Sequence, residues 1–377
     1  MTVSAFFVTR NHAAHLERAI RSVAGIATEV LVVDTGSTDG TVELAKQCGA
    51  RVEPFVWNDD FAAACNSALT HATGDWILWM NPDEELDETG SAALSNAVNH
   101  EETFAFQLRV QQELRPDRRG YGTSDLQTRL FRRDSAIRFR GRLYPGFVTP
   151  LQEIAKRRRQ IVGVSSAVVH RLAYLSNQSP EKLRWAVRLL EAELNDRPGQ
   201  LQYLIQYGRH LLWLNEPRGH DVLAEAALQV KLAAELPQAP HSEVGRLLEY
   251  LLQVDPQLSK SAITRDEARA LAAKWFAGSP PVMWAVASER FAAGDHRFAV
   301  DVLNQLLELG TNGMYESGGG FDPEIMGSAA RMNLAVCQTH LQNWEGVKAA
   351  AGPLLMEPTY RERAFRLYGN AEQHLKN

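Results

Sequence analysis

Cysteine is scarce in this chain: Cys48, Cys65 and Cys337 are the three in 377 residues, and none stand at CxxC spacing. A disulfide framework and a sulfur-based zinc site are both excluded, and a reducing compartment is expected. Long apolar runs are missing too. None approaches the roughly 20 residues that cross a bilayer, so no transmembrane segment is expected. The start, MTVSAFFVTRN, lacks the basic stretch and extended apolar core of a secretory leader. The expected location is the cytoplasm. An excess of one charge is also lacking. A formal net charge of −5 gives no general attraction to nucleic acid or membrane surfaces.

What is present is charge placed unevenly. Asp75 to Glu102 holds eight acids and no Lys or Arg, whereas Arg109 to Arg159 holds thirteen Arg and one Lys against five acids. Nucleic acid is not an expected partner of the basic block. KRRR at 156–159 reads as an exposed turn. With 45% hydrophobic residues the chain can bury substantial cores, and its length points to two or three domains.

Along the first hundred residues, strand and helix signals alternate. VSAFFVT (3–9), EVLVVD (29–34) and DWILWM (75–80) read as buried strands, and RVEPFVW as a third-in-order strand pushed to an edge by Pro54. Helical spacing runs through Leu16, Ile20 and Val23, over 41–48, and over about 60–71. Such a rhythm predicts a Rossmann-like, mostly parallel sheet with helices on both faces. Ligands then bind beyond the carboxyl ends of the strands, which is where Asn11, Asp34, Asp59 and Asp83 fall. Residues 103–174 read as β-rich and basic. From Pro180 the chain turns helical, with degenerate two-helix units over 204–228, 283–309 and 332–356 that resemble tetratricopeptide-type repeats. GTNGMYESGGGFDPE (310–324) reads as a mobile loop.

WILWMNPDEEL (76–86) drives a buried strand directly into a group of carboxylates. A strand-end carboxylate can hold a divalent metal that clamps a diphosphate leaving group, and an Asp at another strand end can accept the ring N–H of a uracil. Of the acids that follow, Glu84, Glu85, Asp87 and Glu88 read as a solvated face, with Glu84 alone having a fair claim to the site.

VTRN, EVLVVDTGSTDGT, FVWNDDFAAACNSAL, ATGDWILWMNPDEEL, LFRRDSAIRFRGRLY and VVHRLAY, in that order, resemble the family 2 glycosyltransferases. The bacterial subgroup in which a GT-A domain precedes helical repeats fits best. The resemblance covers about residues 2–215 and implies an α/β GT-A domain over 1–175 and an all-α repeat domain over 176–377. It implies a hexosyltransferase-type enzyme that moves a sugar from a nucleotide-diphosphate donor, with a UDP-sugar favoured, to a protein, peptide or glycan acceptor. Transfer would invert the anomeric centre. Carried over by position, Thr9, Asn11, Asp34, Asp39, Asp60, Asn66 and Asn81 would bind the nucleotide-sugar, with Asp34 on the base. Asp83 and His170 would hold Mn²⁺ or Mg²⁺, in a motif that reads DxD-like.

Three departures fall in the working parts. Asn81-Pro82-Asp83-Glu84 stands where the subgroup has Asp-Ala-Asp-Glu, Cys65 replaces an Arg beside the nucleotide, and Tyr144-Pro145 stands where an acid would serve as general base. Asp125 or Glu153 could take the base's place, and nothing in the sequence selects between them. The departures support a second expectation, a glycosyltransferase-like scaffold that has lost turnover and binds through its repeats.

Overall fold

A computed structural model of the chain describes residues 1–113, 122–171, 179–313, 315 and 321–376. Two compact units divide it, Met1–Gly199 and Gln200–Asn377. The boundary expected at 175/176 lies outside the described residues, as do six residues (314 and 316–320) of the loop expected over 310–324; its first three residues instead continue a helix that ends at Asn312, and Pro323 opens a 3-10 turn.

The first unit runs β1 (Val3–Thr9), α1 (Ala13–Val23), β2 (Glu29–Asp34), α2 (Thr41–Gln47), β3 (Arg51–Pro54), α3 (Phe61–His71), β4 (Trp76–Met80), β5 (Glu84–Leu86) and α4 (Gly90–Ala97). It continues with β6 (Thr103–Glu113), β7 (Gly122–Arg132), β8 (Phe139–Arg140), β9 (Gly146–Phe147), α5 (Leu151–Arg157), β10 (Ile161–Arg171) and α6 (Pro180–Asp196). Eight strands form one sheet in the order β3-β2-β1-β4-β7-β6-β10-β5. The β3-β2-β1-β4 half is parallel, as is β6 with β10, while β7 and β5 pair antiparallel with their neighbours. The sheet is therefore mixed. β8 and β9 form a separate hairpin.

Alternation along the strands explains the layering, because successive side chains point to opposite faces. Ala5 and Phe7 of β1, with Val32, Trp76, Leu78 and Leu108, pack under Leu16, Ile20 and Val23 of α1 and Leu94 of α4. On the other face Phe6, Leu31, Val33 and Ile77 pack against Ala62, Ala64, Cys65 and Ala68 of α3 and Leu151 and Ile154 of α5. Helix α5 lies within the stretch expected to be β-rich; it takes up the first two residues of KRRR, and Arg158 and Arg159 form the turn after it. Pro54 ends the edge strand, where a missing N–H breaks no ladder.

The second unit is helical: α7 (Leu201–Trp213), α8 (Arg218–Leu232), α9 (Val244–Gln253), α10 (Arg265–Trp275), α11 (Pro280–Ala292), α12 (His296–Asn312), α13 (Ser328–His340), α14 (Trp344–Ala351) and α15 (Arg361–Lys376). Its turns repeat one device. Gly294 and Gln342 adopt positive φ, and the next residue, Asp295 or Asn343, caps the following helix by accepting a backbone N–H. Helices α7 and α8 cross at Gly208 and Gly219. A Cβ on Gly219 would lie 2.7 Å from the Gly208 carbonyl oxygen, so that crossing requires glycine.

Candidate functional site at the carboxyl edge of the sheet

Strand direction gathers the candidates. β1, β2, β4, β6 and β10 all end on one edge, and antiparallel β7 starts there. Thr9, Asn11, Asp34, Asn81, Asp83, Asp125 and His170 therefore share that edge. Asp34 and Asp83 follow strands two places apart, about 10 Å at ordinary strand spacing.

At the β2 corner the carboxylate builds a loop. Asp34, 8% exposed, accepts the N–H of Gly36 and Ser37 at 3.1 and 3.0 Å and the Ser37 hydroxyl at 2.5 Å. The β1 loop is stitched to it: the Asn11 N–H donates to Ser37 Oγ at 2.9 Å, and Asn11 Oδ1 accepts the Thr38 N–H at 2.8 Å. Asn11 itself has φ 56°, a left-handed conformation that Asn tolerates. Exposed Asp39 accepts from the Thr41 hydroxyl and from the N–H groups of Thr41 and Ala13. These contacts, the Thr41 hydroxyl first, hold its carboxyl below the usual range.

At the β4 corner each carboxylate meets a guanidinium. Asp83, 5% exposed, accepts from Arg171 Nε at 2.9 Å. Glu84, 1% exposed, accepts from Arg129 Nη2 at 2.7 Å and from the Asn81 amide and backbone N–H at 2.6 and 2.8 Å. Glu85 pairs with Arg18 of α1 at 2.9 Å. The expectation that Glu85 faces solvent with its neighbours is thus corrected: Glu84 and Glu85 are both buried. A buried carboxylate requires a partner, and the basic residues supply one each. Arg129 also lies over the Trp79 ring, 4.8 Å from its centroid.

The remaining candidates divide. Asp60 caps α3, accepting the Ala63 N–H at 3.0 Å. Asn66 is committed to the β8 backbone, donating to the Phe139 carbonyl and accepting the Phe139 N–H. Asp125 is half-buried at the start of β7 and accepts from Gln127. Glu153 is exposed on α5 and pairs with Arg157 one turn on. Cys65 is 2% exposed, and burial pushes its thiol up to about 12, which rules it out as a nucleophile at neutral pH. Tyr144 has φ 53° and lies within electrostatic reach of Arg171.

The implied divalent metal does not fit this donor set. Asp83 is engaged by Arg171, and the Asn81 amide is turned onto Glu84. As neighbours on β10, His170 and Arg171 point to opposite faces, so the residue sharing Asp83's side is the arginine. Among the described residues, no group of three or more His, Cys, Asp and Glu is placed to hold a metal ion.

Beside Thr9, three residues at this edge, His12, Gln111 and Arg129, escape a reading by motif. Thr9 Oγ1, His12 Nδ1, Gln111 Nε2 and Arg129 Nε are buried polar atoms without a hydrogen-bond partner. Buried polar atoms are nearly always paired, with protein, water or a ligand, and these four lie toward one edge of the sheet. Burial lowers the pKa of His12, and the nearby Asp83 charge opposes that shift. Helix α6 braces the corner from outside the expected domain. Trp185 packs on Trp57 and Phe61, and Asp196 holds Arg142 beside the Asp59 carbonyl. Two hollows lie elsewhere: one of about 380 Å³ beside Leu69, Ile77 and Arg133, and one of about 200 Å³ beside Trp284, Phe291 and Cys337.

Comparison with known proteins agrees with this architecture. Residues 4–155 match Glycosyl transferase family 2. A TPR repeat-containing protein of Synechococcus elongatus is 37% identical over 137 residues, covering 36% of this chain and 33% of its own. An uncharacterized glycosyltransferase of Rickettsia bellii is 46% identical over 86 residues, 23% of this chain and 29% of its own. Glycosyltransferase SunS of Bacillus phage SPbeta is 24% identical over 223 residues, 57% and 50% of the two chains. The chain thus spans between about a third and a half of these relatives. Among solved structures, S. aureus TarS 1-349 in complex with UDP-GlcNAc has a TM-score of 0.40 at 15% identity, covering 78% of this chain and 92% of that one. Glucosyl-3-phosphoglycerate synthase from Mycobacterium tuberculosis, in complex with Mn²⁺ and UDP-glucose, has a TM-score of 0.31 at 19% identity, covering 44% and 70%. The described residues contain no helix long and apolar enough to cross a membrane. Residues 4–155, which carry the acidic corner of β4 and the Asp34 loop at one edge of their sheet, are thus the stretch of this chain that matches the model of Glycosyl transferase family 2.

Proposed function

We propose that the protein transfers a sugar from a nucleoside-diphosphate donor, with UDP the favoured nucleotide, to an acceptor hydroxyl. The reading rests on one observation: the Asp34 loop and the unpaired Thr9, His12 and Gln111 atoms share the strand-end edge of a family 2 domain. Thr9 and the Asn11–Asp34 loop would seat the nucleoside, and the β4 corner would face the diphosphate. In the transfer, the acceptor oxygen forms a bond to the anomeric carbon as the bond to the diphosphate oxygen breaks. The electron pair leaves with the diphosphate, the acceptor proton passes to a carboxylate, and the anomeric centre inverts. Asp125 suits that base role better than Glu153, because it lies at the same edge. A protein, peptide or glycan acceptor would be presented by the helical unit, whose stacked helix pairs form the kind of surface that binds extended chains.

Asp125→Asn is expected to lower turnover of a UDP-sugar by about 100-fold while leaving the affinity for UDP within threefold. An unchanged rate rejects Asp125 as base, and a folded protein that binds no nucleotide rejects the whole reading. Tyr144 at the place of the family's acid favours a second reading, a domain that binds the donor without turning it over. UDP binding with no hydrolysis or transfer would support it.

A further inference from the structure

Given the donor reading above, we infer that Arg171, seated on Asp83, takes the post of a divalent cation and neutralises the donor diphosphate, so that the nucleotide binds without metal. Three observations lead there. First, the acids of the β4 corner are already matched one to one by Arg171, Arg129 and Arg18, which leaves no surplus carboxylate charge to attract an ion. Second, Arg171 differs from the other two in its placement. Arg129 is sealed in at 3% side-chain exposure and Arg18 sits on the outer surface of α1 at 49%, whereas Arg171 ends β10 at the binding edge with 26% exposed. Asp83 accepts a hydrogen bond from its Nε–H, and the described residues leave its terminal nitrogens unengaged. Third, unpaired buried atoms of Thr9 and His12 lie at the same edge, and His12 is within electrostatic reach of Asp83, so a polar ligand is called for there independently of the arginine.

The chemistry suits the position. A guanidinium offers a planar fork of donors that matches two phosphate oxygens, and it stays charged at every working pH. Asp83 fixes the fork's direction, and its placement at the strand end sets the fork beside the path to Asp34. An Asn oxygen in place of the Asp83 carboxylate could accept the same Nε–H and keep that direction, whereas the Asp83 charge itself opposes binding of an anion.

That opposition gives a test in which the two possibilities differ in sign. UDP is titrated calorimetrically into the full chain in EDTA and again with Mn²⁺, using wild type, Arg171→Ala, Arg171→Lys and Asp83→Asn, each checked for folding by circular dichroism. Expected are affinities within threefold with and without Mn²⁺, a loss of about 10- to 100-fold in Arg171→Ala, a smaller loss in Arg171→Lys, and unchanged or tighter binding in Asp83→Asn. Should Arg171→Ala fail to fold, Asp83→Asn carries the test alone, since a metal ligand at that position would lose binding when its charge is removed. A tenfold or greater gain on adding Mn²⁺ that Asp83→Asn abolishes would overturn the inference. No UDP binding by folded wild type in either condition would overturn the donor reading itself, and this inference with it.

Discussion

Two corners of one sheet edge handle negative charge in opposite ways. At the end of β2, Asp34 is surrounded by neutral dipoles: two backbone N–H groups and a hydroxyl from its own loop. At the end of β4, Asp83, Glu84 and Glu85 are surrounded by formal positive charge brought from β10, β7 and α1. The first corner is local in sequence and the second is assembled from distant strands. A carboxylate satisfied by its own loop shapes a backbone. One satisfied by a distant arginine places that arginine.

The comparison can be broken most readily at Glu84. Arg129→Ala leaves a fully enclosed carboxylate uncompensated, and urea denaturation is expected to show a loss of about 3–5 kcal/mol. A loss below 1 kcal/mol would mean the β4 corner does not depend on its ion pairs. Asp34→Ala should have a smaller effect, about 1–3 kcal/mol, because it strips three hydrogen bonds from a loop that water can partly re-solvate. UDP affinity should fall by at least tenfold as the Asn11 loop loosens. Asp39→Ala, at an exposed brace, should lower stability by about 1 kcal/mol.

Acid separates the corners with the least effect. His12 has a lowered pKa in the fold, so the unfolded chain binds its proton first. The stability it contributes is present above pH 6.5 and is lost as pH falls through the folded value. The charges acting on it besides Asp83 are His15 and Lys182, both of which push it further down. Asp39 is lowered as an acid, so its contribution is present above its ordinary 3.8 and is lost only as pH falls below that. A stability profile recorded from pH 7 to 5 should therefore slope in wild type and slope less steeply in His12→Gln, the remainder coming from His210 and His241, whose pKa values burial also lowers, while Asp39→Ala shifts it without changing its slope.

Much of the parallel half of the fold was legible in the sequence, because β1, β2 and β4 are uninterrupted apolar runs buried on both faces and Pro54 marks an edge. The positions of Asp34 and Asp83 beyond strand ends followed from the same reasoning. The arginine partners were not legible. Arg129 and Arg171 lie 45 and 88 residues from their acids, and only the pairing of β7 and β10 brings them close. One signal was available: Arg129 stands directly before the apolar pair Leu130-Phe131 of β7, and a charge within a buried strand requires a counter-ion. Helix α5 was hidden by the basic composition of its last turn. Helix α6 reads like the repeats that follow it, yet its Trp185, Glu193 and Asp196 belong to the first unit.

A crystal structure of the full chain with UDP, grown in EDTA, tests the assignment of this edge most directly. The expected result is uracil beside the Asp34 loop and the two phosphates against the terminal nitrogens of Arg171. A diphosphate bound elsewhere, or one that enters the edge only when Mn²⁺ bridges it to Asn81 and Asp83, would contradict it.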